Sequence, residues 1–276
     1  MANVLKQDKQ EMVINMLIEG NSIRSTERMT GVHRDTIMRL GVSVGAACEV
    51  LHNDMMRNLP CKRLQLDEIW CFVGKKQRHV TKEDDSATVG DAWTFCAIDA
   101  DTKLIPAFRV GKRTAEVTDA FVDDLRSRLT NRVQISTDGM SAYVDAIEDS
   151  FGAAVDFAQI IKVYEADALG AGRYSPPKVV STEVKVITGR PARGHISTSY
   201  VERQNLTMRM QMRRFTRLTN GFSKKWENLC AAVALHFAHY NLCRVHSTLR
   251  ITPAMAAGVT DHVWSIGELL EAAKAV

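Results

Sequence analysis

The chain has 276 residues, 45% of them apolar, a formal net charge of +4 and six cysteines, at 48, 61, 71, 96, 230 and 243. That is enough apolar sequence for one large domain and a small one without disulfide staples, and the lack of any C-x-x-C pair or cysteine–histidine spacing excludes a zinc ribbon and a disulfide framework. No apolar run reaches membrane length and MANVLKQDKQEMV is no signal segment, so a soluble, cytoplasmic protein with reduced, mostly core cysteines and no membrane partner is expected.

Residues 1–58 are expected to form a small all-α domain with a linker helix. KQDKQEMVINMLIEG (6–20) places Met12, Leu17 and Ile18 near helical spacing and stops on glycine. SIRSTERMTG fits a short second helix and HRDTIMRLG a third, after Gly31 and Val32. Helix, short helix, glycine-containing turn, helix is the helix-turn-helix pattern. Its last helix would enter the major groove of DNA and offer His33, Arg34, Asp35, Thr36 and Arg39 to bases and phosphates, although such trihelical units also occur in proteins that never touch DNA. GVSVGAACEVLHNDMM then continues as a connecting helix.

From residue 59 the period changes. RLQLDEIWCFVGKK (63–76), AWTFCAIDADT (92–102) and LIPAFRVGKR (104–113) are rich in β-branched and aromatic residues and predict a three-strand meander. TAEVTDAFVDDLRSRL (114–129) reads as a helix, RVQISTDG (132–139) as a strand and MSAYVDAIEDSFG as a helix. That order is the order of a ribonuclease H-like α/β fold, a mixed sheet with flanking helices. In it the first and fourth strands lie parallel, side by side, at mid-sheet.

Two acids stand out in this order. Asp67 interrupts the apolar run of the first strand, where an unpaired carboxylate is costly unless it meets a cation or a partner. Asp138 ends the fourth strand at T-D-G, where it also suits an Asx turn or a helix cap. Neighbouring carboxylates repel, and a divalent oxygen-seeking ion, Mg²⁺ or Mn²⁺, is the common reason to keep two together.

A third acid, Glu202, is followed by five arginines to Arg217 and no other carboxylate; from Arg203 to Lys225 seven basic residues occur without an acid. Such a run is either a solvated face or a phosphate-binding one. Ser199 and Glu202 also fit the S-x-x-E capping box, so Glu202 either starts a helix or serves chemistry. On a helix, Glu202, Asn205, Arg209 and Arg213 form one stripe that can meet DNA, and Val201, Met208, Met212 and Phe215 an apolar one that docks. FSKKWENLCAAVALHFAHYNLCRVH (222–246) predicts a further amphipathic helix, with His236, His239 and His246 as packing or solvent residues rather than metal ligands.

LDEIWCFVGKK, STDGMSAY and TSYVERQNLTMRMQMRRFTRLTNGFSKK resemble the three catalytic blocks of bacterial transposases of the insertion-sequence-one family. YNLCRVHSTLRITPAMA resembles the ending of related transposases and integrases, so the likeness spans roughly residues 62–258. It implies that residues 59–276 are a catalytic domain and that Asp67, Asp138 and Glu202 are the acidic triad of a DDE transposase, holding two Mg²⁺ or Mn²⁺ ions. Arg209 corresponds to the family's usual basic residue, and Asn205, Arg213, Arg214, Arg217, Lys224 and Lys225 would meet the DNA backbone. Cys71 stands where the family pattern has glycine, and the N-terminal zinc-finger cysteines of its best-known members are absent. The 63 residues between Asp138 and Glu202 (139–201) exceed the family's usual spacing; an insertion at about 152–198, with a strand pair in YSPPKVVSTEVKVITGRP, accounts for them.

The implied reaction is two-metal phosphoryl transfer, hydrolysis at the 3′ end of an insertion sequence and then strand transfer into target DNA. Its partners would be double-stranded DNA, as terminal repeats and as target, and further copies of the chain in a dimer or larger assembly on the bacterial nucleoid. A catalytically inactive DNA-binding regulator and a metal-dependent nuclease without strand transfer remain the alternatives.

Overall fold

A computed structural model of the chain describes residues 5–164, 179–216 and 220–276. Three helices open it, α1 (Gln7–Ile18), α2 (Ile23–Thr30) and α3 (Arg34–Met55). Ser22 caps α2 through its side chain, which accepts from the Ser25 amide, and Gly31 ends it in the left-handed region at φ 71°, where glycine carries no Cβ penalty. The face of α1 that is buried is Val13, Ile14 and Ile18, not the predicted Met12, which is 40% exposed. His33, expected to face bases, caps α3, its Nδ1 accepting from the Asp35 amide. The third helix and the connecting helix are one unbroken 22-residue helix. Gly45 lets α3 lie against α7 (Trp226–Ala238), since a Cβ there would collide with the Ala231 carbonyl oxygen.

The mixed sheet has six strands: β1 (Arg63–Val73), β2 (Gly90–Asp99), β3 (Ala107–Gly111), β4 (Val133–Asp138), β5 (Val155–Tyr164) and β6 (Val179–Thr188), in the order β3-β2-β1-β4-β5-β6. β1 pairs antiparallel with β2 and parallel with β4, so the expected adjacency of the first and fourth strands is found. α4 (Ala115–Ser127) and α5 (Ala142–Phe151) cross one face, burying Phe121, Val122 and Leu125 with Tyr143 and Ile147 against Leu64, Leu66 and Phe95. α6 (Ser199–Gln211) and α7 cross the other, where Val201, Met208, Val233 and Phe237 pack on Ile69, Cys71 and Cys96. The period of two in β1 divides the faces, even residues toward α5 and odd residues toward α6. α8 (Pro253–Ala256) and α9 (Ile266–Ala275) complete the chain; Ser265 and Glu268 form a capping box on α9. No helix among the described residues is long and apolar enough to cross a membrane.

Three expectations need correction. The stretch read as an inserted strand pair yields one described strand, β6, whose partner is β5, just past α5; residues 165–178 of the insertion lie outside the described residues. α6 ends at Gln211 with Met212 extended, so Arg213 starts a separate turn and leaves the Glu202–Asn205–Arg209 stripe. The helix predicted over 222–246 is α7 only over 226–238; a π-helical turn, His239–Cys243, follows, in which each carbonyl is met one residue later than in an α-helix.

Candidate active site

β1 and β4 run together from Arg63 beside Gln134 to Leu66 beside Thr137, and then the ladder opens. One step further along that register stand Asp67 and Asp138. β1 runs on to Val73 beside β2 while β4 ends at Asp138 beside β5, so the two strands part there and both acids line the cleft between them. Glu68 joins them, and one ligand oxygen from each of Asp67, Glu68 and Asp138 lies within 4.8 Å of the others.

Each carboxylate is held. Asp67 Oδ1 accepts from the Glu68 amide and Oδ2 from Asn205 Nδ2 at 2.8 Å. Asp138 Oδ1 accepts from the Met140 amide at 3.0 Å, the Asx turn that its sequence allowed, which leaves Oδ2 for another partner. Glu68 is buried and pairs with Arg113 at 2.6 Å, and Tyr143 donates its hydroxyl to Glu68 Oε2 at 3.3 Å. Burial first, then the charges of Glu68, Asp138 and Glu202, pushes the Asp67 carboxyl up to about 7. The same burial and the charge of Asp138 raise Glu68, against the lowering pull of Arg113.

Glu202 approaches from α6. Its carboxylate pairs with Lys162 Nζ of β5 and accepts from Thr198 Oγ1 at 2.6 Å. The capping box is not formed: the first amides of α6, Tyr200 and Val201, are met by Gln65 Oε1 of β1 at 2.7 and 3.2 Å, and Ser199 bonds Ser197. Gln65 therefore fixes α6 to the strand that carries Asp67, two residues away. One helical turn after Glu202, Asn205 reaches Asp67 while its own Oδ1 is buried without a partner. An open cleft of about 1000 Å³ is lined by Asp67, Asp138, Glu202, Lys162, Arg113 and Arg209, among others. The three acids expected from sequence thus border one cleft.

The donor set fits a hard divalent cation. It is all oxygen, and the Asp67 and Asp138 carboxylates lie close together with Arg113 engaging only Glu68 behind them. Asp67 and Asp138 are the residues best placed to hold one ion, with Glu68 behind them and Glu202 across the cleft. No histidine or cysteine joins the cluster among the described residues. Burial holds His236 down at about 3 and His239 at about 4, neutral packing residues as expected.

The basic residues divide into two sets. Arg24, Arg34, Arg213, Arg214 and Lys224 line a second groove of about 1000 Å³, between α1–α3 and the α6–α7 connection, with no Asp or Glu among its described lining residues. Within it the Arg214 guanidinium is largely withdrawn from water and donates to Ser223 Oγ at 2.7 Å. Arg39 is exposed on α3 outside this groove, and Lys225 is exposed and pairs with Glu227 at 3.6 Å. Arg217 lies outside the described residues.

Glu68, Arg113, Lys162 and Gln65 were missed by sequence reasoning. Glu68 carried a signal, an acid beside Asp67 in an apolar strand; the other three depend on strand register and have none.

A mixed α/β sheet with a cleft that gathers acids at the parting of two parallel mid-sheet strands is the class these features define. No family model and no curated protein matches the chain. Among solved structures it is similar to the piggyBac transposase in a synaptic complex with hairpin DNA, at 10% identity and a TM-score of 0.41, over 97% of this chain and 70% of that one. It is also similar to the Mos1 strand transfer complex, at 13% identity and a TM-score of 0.23, over 55% of this chain and 57% of that one. Likenesses this weak leave function to the cleft itself.

Proposed function

We propose that the chain is a divalent-metal-dependent DNA transposase of the DDE type, with Asp67, Asp138 and Glu202 as its acidic triad. The observation that carries this reading is the meeting of the three acids on one cleft, although 63 residues (139–201) separate the last two in the chain. The sheet is then ribonuclease H-like, residues 59–276 are the catalytic domain with its insertion at about 152–198, and residues 1–58 are a helix-turn-helix domain. The insertion-sequence-one assignment rests on the three sequence blocks.

Two bound Mg²⁺ or Mn²⁺ ions would supply activation of a water or 3′ hydroxyl and stabilisation of the leaving oxygen in an in-line attack at phosphorus. Asp67 within β1 and Asp138 at the end of β4 hold charge side by side, fixed by the sheet. Asn205 orients Asp67 through its 2.8 Å bond. Glu202 would join the ligand set in exchange for its pairing with Lys162, whose ammonium lines the same cleft and would meet a phosphate. Arg209 lies on the same wall and positions the backbone. Arg113 pairs with Glu68 behind the ligands and opposes the rise that burial gives its carboxyl. Arg34, Arg213 and Lys224 track further phosphates in the second groove, where Arg214 is held on Ser223, with Arg39, Arg217 and Lys225 outside its described lining. Two DNA ends and a target call for a dimer or larger assembly.

The test is an assay with labelled duplex carrying the terminal repeats that flank the coding sequence, plasmid target and Mg²⁺. Cutting followed by joining is the expected result. Cutting alone would make the chain a nuclease, and end binding that survives loss of all three acids, with no cutting at any stage, would make it a regulator.

A further inference from the structure

Beyond the acidic cleft β1 carries a different surface. Three residues past Asp67, about 10 Å along the strand, comes Trp70 and then Phe72, both half-buried and on the face opposite to Asp67. Their ring centroids are 5.8 Å apart, and Phe72 lies 4.5 Å from Phe222, which a parallel bridge between Val73 and Ser223 brings alongside β1. The strip begins at the cleft: Trp70 pairs across the sheet with Trp93, and Arg113, a wall of the cleft, lies 5.0 Å over the Trp93 ring.

A cavity of about 540 Å³ runs over Trp70, Phe72 and Phe222, rimmed by Lys75, Lys76 and Arg78, and no Asp or Glu is among its described lining residues. Lys75 is engaged by Asp84 at 2.8 Å. Lys76 and Arg78 are exposed, and the Lys224 ammonium sits 4.0 Å over the Phe222 ring. Half-buried rings between cations suit a ligand that offers flat apolar faces and negative charge together. Duplex DNA turns its base faces inward; an unpaired strand presents both faces and phosphates. We propose that this strip binds single-stranded DNA, the nucleotides unpaired beside the bond that the cleft acts on. The proposal takes only its class of ligand, DNA, from the functional reading above; the rings and cations carry the rest.

The experiment is fluorescence anisotropy of the full chain without metal, with labelled oligothymidylate of about 16 nucleotides and with a duplex of equal length. Phe222→Leu and Trp70→Leu stay apolar, the second at a larger loss of volume, and both remove the stacking face. Each is expected to weaken single-strand binding about tenfold or more while duplex affinity stays within about twofold. Unchanged single-strand affinity in both folded variants overturns the proposal, and so does an equal loss on strand and duplex. If circular dichroism shows that one variant does not fold, the other decides together with tryptophan fluorescence. Quenching by oligothymidylate that falls in Trp70→Leu supports the site, and absence of quenching in the unaltered chain overturns it. Because metal is absent, failure here with intact cutting leaves the transposase reading standing. Intact strand binding in a chain that never cuts sinks only that reading.

Discussion

The acidic cleft and the basic groove are built by opposite means. In the cleft, charge is concentrated by burial: Asp67 and Glu68 are withdrawn into the sheet, each held by a partner on another element, and like charges stay close. In the groove, charge is spread over exposed side chains at helix ends and turns, with Arg24 and Arg34 on one wall and Arg213 and Lys224 on the other. A screened surface of that second kind binds phosphate weakly and additively. A desolvated cluster of the first kind is destabilised until a cation arrives, so single changes in the cleft should act by orders of magnitude and single changes in the groove by small factors.

The largest effect belongs to the cleft. Asp138→Asn and Asp67→Asn are each expected to reduce Mg²⁺-dependent cutting about 10³-fold or more, as loss of several kcal/mol of transition-state stabilisation requires. Single-turnover cleavage of labelled end duplex measures it, and near-normal rates in either variant remove that residue from the site.

Next comes the charge repulsion within the cleft. With the folded Asp67 carboxyl up at about 7 and an ordinary value of 3.8, the folded state holds the proton more tightly than the unfolded state. This group's contribution is full below about pH 4 and is lost as pH rises through 7, so the metal-free protein loses up to about 4 kcal/mol from it at about 1.4 kcal/mol per pH unit. His52 and His236, each held down at about 3 by burial, act oppositely, destabilising the fold as pH falls below 6.5. Denaturant melts of Asp67→Asn against the unaltered chain isolate the carboxyl: the variant should be more stable at pH 8 and the gap should close near pH 4. A constant gap would contradict the repulsion.

Capping separates Glu202 from a structural role. Gln65→Ala should lower stability by about 1–2 kcal/mol, because two amides of α6 lose their acceptor, whereas Ser199→Ala should change it by less than about 0.5 kcal/mol. Glu202→Gln should melt like the unaltered chain yet fail to cut. Chemical melts with the cleavage assay check all three, and an active Glu202→Gln protein excludes the acid from the triad.

The smallest effect belongs to the groove. Arg34→Gln or Arg213→Gln should each reduce the slope of log affinity against log salt for duplex DNA by about 1, with cutting at saturating DNA retained. An unchanged slope in both would remove phosphates from the groove.

What was legible in the sequence follows the same division. Richness in β-branched and aromatic residues marked β1 to β3, and T-D-G marked the end of β4, because both signals are local. The pairing of Asp67 with Asp138 was readable once strand order was known. β5 was obscured, since in VDFAQIIKVY the buried and exposed positions do not alternate cleanly, whereas β6 falls inside the stretch expected to hold a strand pair. Glu202 was ambiguous because S-x-x-E is a valid cap in isolation; only Gln65, 134 residues earlier than Ser199, shows that the cap is supplied from elsewhere. The end of α6 at Gln211, which takes Arg213 off its stripe, has no glycine or proline to announce it.

The central claim is that Asp67 and Asp138 together hold a divalent cation. Calorimetric titration of Mn²⁺ into the full chain at pH 8, where Asp67 is ionised, tests it without any DNA. Saturable binding that disappears in both Asp67→Asn and Asp138→Asn is the predicted result; equal binding by the unaltered chain and the double variant would contradict it.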